Sequence, residues 1–214
     1  MKGAELASQV ARETAVRRAM MCFWQRGVEV ASYNDIVEAT GLSRKALYAL
    51  WPHKDALVRA AMALYRNEVL GPLIDRLGLG GRAGLEGFWN GIADGVRTPG
   101  WAGCFLFRSA GETLHSDQVI AAHFDEHAKL LRTRMSRAVR EALAEQSLDQ
   151  EVDPDAAAWQ ALAIIALIST YGALSGNSGT VAKLIGVGRT ATGLAAVANV
   201  ALRGRGEPPP RNDL

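Results

Sequence analysis

The chain has 214 residues, 49% of them apolar, with 24 Lys and Arg against 22 Asp and Glu and a formal charge of +2. That length and apolar content are ample for a buried core, and the net charge is too small to imply a nucleic-acid partner by itself, so evidence for one must come from where the charges lie. The two cysteines, Cys22 and Cys104, lie inside apolar helical patterns, which suits a reducing cytosol better than a disulfide scaffold. No apolar run follows the first Lys, so no secretory signal is expected.

Ala, Leu, Arg and Glu run through most of the sequence while Pro and Val-Thr alternation are scarce, a pattern that predicts an all-α protein of about nine helices. A first amphipathic helix is expected over 6–26, with Val10, Ala15, Ala19 and Phe23 at helical spacing and Gly27 as its stop. Ser32 and Asp35 have the spacing of a capping box for a short helix ending at Gly41. Ser43 caps the next, which must end before Pro52 because the residue ahead of a proline is pushed out of the helical region. Asp55 falls in the first turn of a longer helix that is expected to run to about Leu70 and to close at Gly71-Pro72. A Gly-rich connector at 78–84 follows, and then helices are expected over 85–96, 104–114, 117–144, 154–174 and 181–202. Three consecutive prolines mark 204–214 as a disordered tail. The domain division predicted is 1–70, 71–203 and the tail 204–214.

One stretch resembles a membrane span: 156–182 holds no charged residue and 161–168 is continuously apolar. Gln160, Ser169, Thr170 and Asn177 interrupt it and no basic cluster flanks it, so it reads as a core helix, and no membrane partner is expected.

The two short helices joined at Gly41-Leu42 cannot be stable alone and must pack on the first. Together the three make a helix-turn-helix, whose second short helix enters the DNA major groove with its N-terminal residues facing the base edges. That geometry accounts for Arg44 and Lys45, two cations placed where the helix dipole already carries positive charge: phosphates and guanine acceptors supply the missing anion.

The run from Met21 to Leu57 resembles the N-terminal DNA-binding domain of the TetR family of bacterial transcription regulators. Phe23 and Gly27, Ser32 before Ile36, the turn Ala39-Thr40-Gly41-Leu42-Ser43, Leu47-Tyr48, and Lys54 followed by Asp55 and Leu57 match in order and spacing. Gly103-Cys104-Phe105-Leu106 looks like a segment found early in the family's ligand-binding domains. The resemblance implies an operator-binding role for Ser32, Ser43, Arg44, Lys45, Tyr48, His53 and Lys54. Tyr48 would give its hydroxyl to a phosphate and Lys54 would meet a phosphate at the next helix start. Ser32 and Ser43 are caps first and phosphate contacts second. Leu42, Leu47 and Trp51 are expected in the core. Leu50 and Trp51 depart from the family's usual Tyr or His and Phe, and Ala49 offers only a methyl group, which concentrates base reading on Arg44 and Lys45.

A helix-turn-helix reader usually works as a dimer on half-sites one helical turn, or a multiple of it, apart. The last two helices supply the dimer surface, through Trp159, Ala163, Ala166, Thr170, Leu184, Ala191 and Ala195, together with Leu162, Ala173, Val187 and Asn199. An ordinary internal core is the alternative for the same residues. Between heads and dimer surface an effector cavity is expected from Trp89, Trp101, Phe105, Phe124 and His127, with Phe88, Phe107 and His123 nearby, suited to an apolar or aromatic molecule. A rival reading treats His123-x-x-Glu126-His127 as the H-x-x-E-H motif of a zinc-dependent hydrolase. The preferred reading is a homodimeric cytoplasmic regulator, not an enzyme, that binds double-stranded operator DNA as a repressor, needs no cofactor, and is released by a small-molecule effector. Each cysteine is expected as a small core residue, with a redox-sensing pair as the alternative.

Overall fold

The computed structural model describes residues 2–113, 118–172 and 178–195. The expected tail at 204–214, the far end of the last expected helix, and Leu114, Ala173 and Asn199 lie outside these residues. All regular structure among the described residues is helical.

Helix α1, Lys2–Arg26, buries Ala15, Ala19 and Phe23 with Val16, Met20 and Trp24, two adjacent rows four residues apart. Val10 is exposed, so the apolar stripe begins one turn later than its spacing suggested. The chain leaves α1 at Gly27, whose φ of 95° admits no side chain cheaply. Helix α2, Tyr33–Thr40, opens on the expected capping box of Ser32 and Asp35 and closes at Gly41, φ 71°. Helix α3, Arg44–Leu50, is capped by Ser43, and Trp51 takes the extended conformation that Pro52 imposes.

Helix α4, Lys54–Tyr65, does not end at Gly71-Pro72. Its path continues through a π turn at Arg66–Leu70, helix α5 at Gly71–Asp75 and a 3₁₀ turn at Arg76–Leu79. Pro72 has no N–H to give and its ring would strike the carbonyl four residues back. The chain answers by widening: the Gly71 N–H bonds to the carbonyl of Arg66, five residues back, and Pro72 then falls in the first turn of α5, where it is tolerated. Taken as one rod, 54–79 brings the helices among the described residues to nine. The Gly-rich connector shrinks to Gly80 and Gly81, with φ of 73° and 48°, and α6 already begins at Gly81.

The later helices are α6, Gly81–Arg97; α7, Phe105–Thr113; α8, Gln118–Ala144; α9, Pro154–Gly172; and α10, Ser178–Ala191. Two apolar clusters organise them. One joins α1 to α4 with Cys104, Phe105, Leu106 and Ile120; the other joins α5, α6 and α8 to α10. Trp101, Phe107 and Phe124 pack against both. Both cysteines are free and buried, and burial pushes each thiol above its ordinary range, away from the reactive thiolate. No helix among the described residues is long and apolar enough to cross a membrane.

Candidate nucleic-acid interface

Leu47 and Trp51 bury one side of α3, which turns its other side outward with Arg44, Lys45, Tyr48 and Ala49 exposed and Leu50 at its rim. Ser43 accepts the N–H of Ala46 at 3.2 Å, leaving its hydroxyl proton available to a phosphate. Ser32 differs. Its hydroxyl accepts the Asp35 N–H and donates to Asp35 Oδ2 at 2.6 Å, so the proton expected for phosphate is already spent inside the capping box. Those hydrogen bonds and Arg26, 3.1 Å away, hold the Asp35 carboxyl below its usual range.

Lys54 donates to the carbonyl of Glu29 at 3.3 Å, tying the start of α4 to the turn after α1. His53 is the exposed N-cap residue of α4 and makes no side-chain cap bond. The first two residues of α2, which the sequence pattern did not single out, sit against the exposed side of α3. The Tyr33 ring lies 5.1 Å from that of Tyr48 at a 32° tilt, and Asn34 Oδ1 accepts from Arg44 Nη2 at 2.7 Å.

The residues expected around an effector divide. Trp89 is wholly buried, its N–H bonded to Thr192 Oγ1 at 3.0 Å and its ring so close to Gly188 that a β-carbon there would lie 2.1 Å away; it is a core residue. Phe105 is equally buried, edge-on to Tyr65 at 5.6 Å. Trp101 and Phe124 are half-buried, Phe124 edge-on to Phe107 at 5.2 Å, and the buried His127 lies one turn further along α8. A groove of about 490 Å³ does lie on α8 and α9, but beside Trp159 its lining carries the charged Lys129, Arg132, Arg140 and Asp155, and it belongs to a different face.

A link between head and body runs through the loop before α7. Trp24 Nε1 of α1 donates to the Gly103 carbonyl at 2.7 Å, and on the other side a β-carbon at Gly103 would lie 2.2 Å from the carbonyl oxygen of Ser169 in α9. Arg108 donates to the carbonyls of Trp24 and Ala102.

On α9, Trp159, Ala163, Leu167, Thr170 and Tyr171 form an exposed stripe on the face opposite the buried Ala161, Ile164 and Ile168. Arg132 covers the Trp159 ring at 3.8 Å. Val187 of α10 and Ala195 are also exposed, Ala166 is half-buried, and Leu184 and Ala191 pack partly into the second cluster. Leu162 is buried.

The histidine pair has a cation in its midst. Arg66, from the π turn, contacts His123 Nδ1 and lies 3.4 Å from Glu126, which repels a divalent metal from both. Burial first and Arg66 second lower the His127 pKa to about 4. Among the described residues no group of three His, Cys, Asp or Glu side chains could hold a metal ion.

Comparison with known proteins agrees with this geometry. A family profile described as bacterial regulatory proteins, tetR family, matches residues 15–61, and one described as tetracyclin repressor-like, C-terminal domain, matches residues 81–185. The HTH-type transcriptional repressor ComR of Escherichia coli strain K12 is 44% identical over 54 residues, 25% of this chain, so the chain spans about a quarter (26%) of that curated relative. A TetR-family transcriptional regulator from Streptomyces coelicolor shares the fold at TM-score 0.71 and 17% identity, over 85% of this chain and 94% of its own. A cysteine mutant of the TetR family regulator CifR, complexed with 26-bp double-strand operator DNA, superposes at TM-score 0.64 and 25% identity over 85% of this chain and 95% of its own. With a head profile and a body profile that match in the order of the helices, the chain belongs to the TetR family of bacterial transcriptional regulators.

Proposed function

We propose that this regulator is a homodimeric repressor, that α3 reads a double-stranded operator, and that a small apolar or aromatic effector releases it. The observation that carries the reading is the outward side of α3: Arg44 and Lys45 at its dipole-positive start, on a helix whose other side is locked into the head by Leu47 and Trp51. The operator-bound CifR and the ComR repressor supply the DNA partner and the sign of regulation by likeness. Arg44 and Lys45 meet base edges; Ser43, Tyr48, His53 and Lys54 meet phosphates. Ser32 acts as a cap and not as a contact, because its proton serves Asp35.

The effector lies beside Trp101, Phe124 and His127, where the half-buried rings bridge the two clusters. Packing there bears on the loop that Trp24 and Ser169 hold between them, and an effector releases DNA to the extent that it binds the released arrangement more tightly. The α9 stripe, with Val187, faces the second copy. Such a protein works in the cytoplasm, with its DNA. Membership of a family of regulators, and the Arg66 charge between His123 and Glu126, leave the hydrolase reading without support. Selecting genomic fragments with the purified protein tests the proposal: a recovered sequence with two related half-sites is expected, and no enrichment over bulk DNA contradicts it.

A further inference from the structure

We infer that Asn34 is a positioning residue for base reading: it holds Arg44 in place so that one complete donor edge of its guanidinium faces the DNA. The inference rests on the proposed role of Arg44. The contact is the 2.7 Å hydrogen bond from Arg44 Nη2 to Asn34 Oδ1, across the junction of α2 and α3. A guanidinium has no acceptor, so the amide atom facing it is the oxygen.

Nη2 carries two hydrogens, one on each of the two edges that a guanidinium can present to a pair of acceptors. Whichever hydrogen Asn34 takes, the other edge keeps both of its parallel N–H groups, the pair that guanine O6 and N7 require. A single bond therefore restrains the group without using up its reading capacity. Arg44 and Asn34 are both exposed, so without this bond the long arginine would sample many rotamers, and ordering it on DNA would weaken binding.

The residue type fits the task. A carboxylate at position 34 would hold Arg44 more tightly but would face the phosphates with like charge, whereas the amide offers an acceptor dipole and leaves the cation whole for DNA. The same dipole offsets the placement of Arg44 at the positive end of α3 in the free protein.

The test measures binding of wild type, Asn34→Ala, Asn34→Asp, Arg44→Ala and the double Ala variant to the best duplex recovered by wild-type protein from a randomised library, and to a scrambled duplex. Asn34→Ala is expected to weaken the selected duplex roughly two- to tenfold and the scrambled one by less than twofold. Asn34→Asp should weaken both together and keep their ratio, and Asn34→Ala should add nothing once Arg44 is Ala. Library selection with Asn34→Ala should blur the base preference at the position that Arg44→Ala blurs. Equal loss on both duplexes, no loss, or additivity with Arg44→Ala would overturn the inference while leaving Arg44 a reader. If Arg44→Ala itself leaves discrimination intact, the reading of α3 fails and this inference fails with it. Unchanged thermal midpoints exclude a fold defect, since position 34 is exposed.

Discussion

Trp24 Nε1 and the Gly103 carbonyl, 79 residues apart in sequence, meet at 2.7 Å in the buried seam between the DNA-binding head and the helical body. Breaking this bond leaves a buried carbonyl without its donor, so Trp24→Phe should cost about 1–2 kcal/mol and lower the thermal midpoint by several degrees. Gly103→Ala should cost more, on the order of 3 kcal/mol, because φ is 87° and the new β-carbon would meet Ser169 of α9. Thermal melts followed by circular dichroism check both; an unshifted Gly103→Ala midpoint would mean that the loop is not clamped.

His127 predicts an acid-sensitive fold. Its pKa falls from 6.5 to about 4 in the folded protein, chiefly by burial, so between those values the unfolded chain binds a proton that the folded chain refuses. Stability is therefore lost as the pH drops from 6.5 towards 4, up to about 3 kcal/mol, and this group costs nothing above pH 7. Denaturant melts of wild type and His127→Gln across pH 4–8 should diverge in the acid half of the range, with the variant flatter. Parallel curves would contradict the burial of a neutral imidazole.

The exposed α9 stripe predicts a dimer that a charge disrupts. Ala163→Arg places a cation on a surface that is open in one copy but covered in two, so the monomer should fold normally and fail to pair. Light scattering at micromolar concentration should give a dimer for wild type and a monomer for Ala163→Arg. A monomeric wild type would remove the surface from the account.

Local signals made much of the head legible. Ser32 with Asp35, Gly41, Ser43 and Pro52 are punctuation whose meaning depends on residues three or four away, and the structure has α2 and α3 where they predict. Gly71-Pro72 misleads because the usual consequence of proline, a helix end, is absorbed by a π turn whose hydrogen bond reaches one residue further. Trp89 misleads for a different reason: bulky rings line cavities and fill cores alike, and only its contacts with Gly188 and Thr192, 99 and 103 residues away, decide between the two. Tyr33 and Asn34 are invisible in sequence because their partners, Tyr48 and Arg44, come within reach only through the angle at which α2 crosses α3.

The central claim is a division of labour on α3 and the start of α4, and a salt titration of each variant against selected and scrambled duplexes tests it most directly. Tyr48→Phe and Lys54→Ala should weaken both duplexes alike, and Lys54→Ala should reduce the salt slope by about one. Arg44→Ala and Lys45→Ala should cost about 1–3 kcal/mol on the selected duplex and far less on the scrambled one. Equal losses on the two duplexes for Arg44→Ala and Lys45→Ala would contradict the account, reducing both residues to grips on the phosphate backbone.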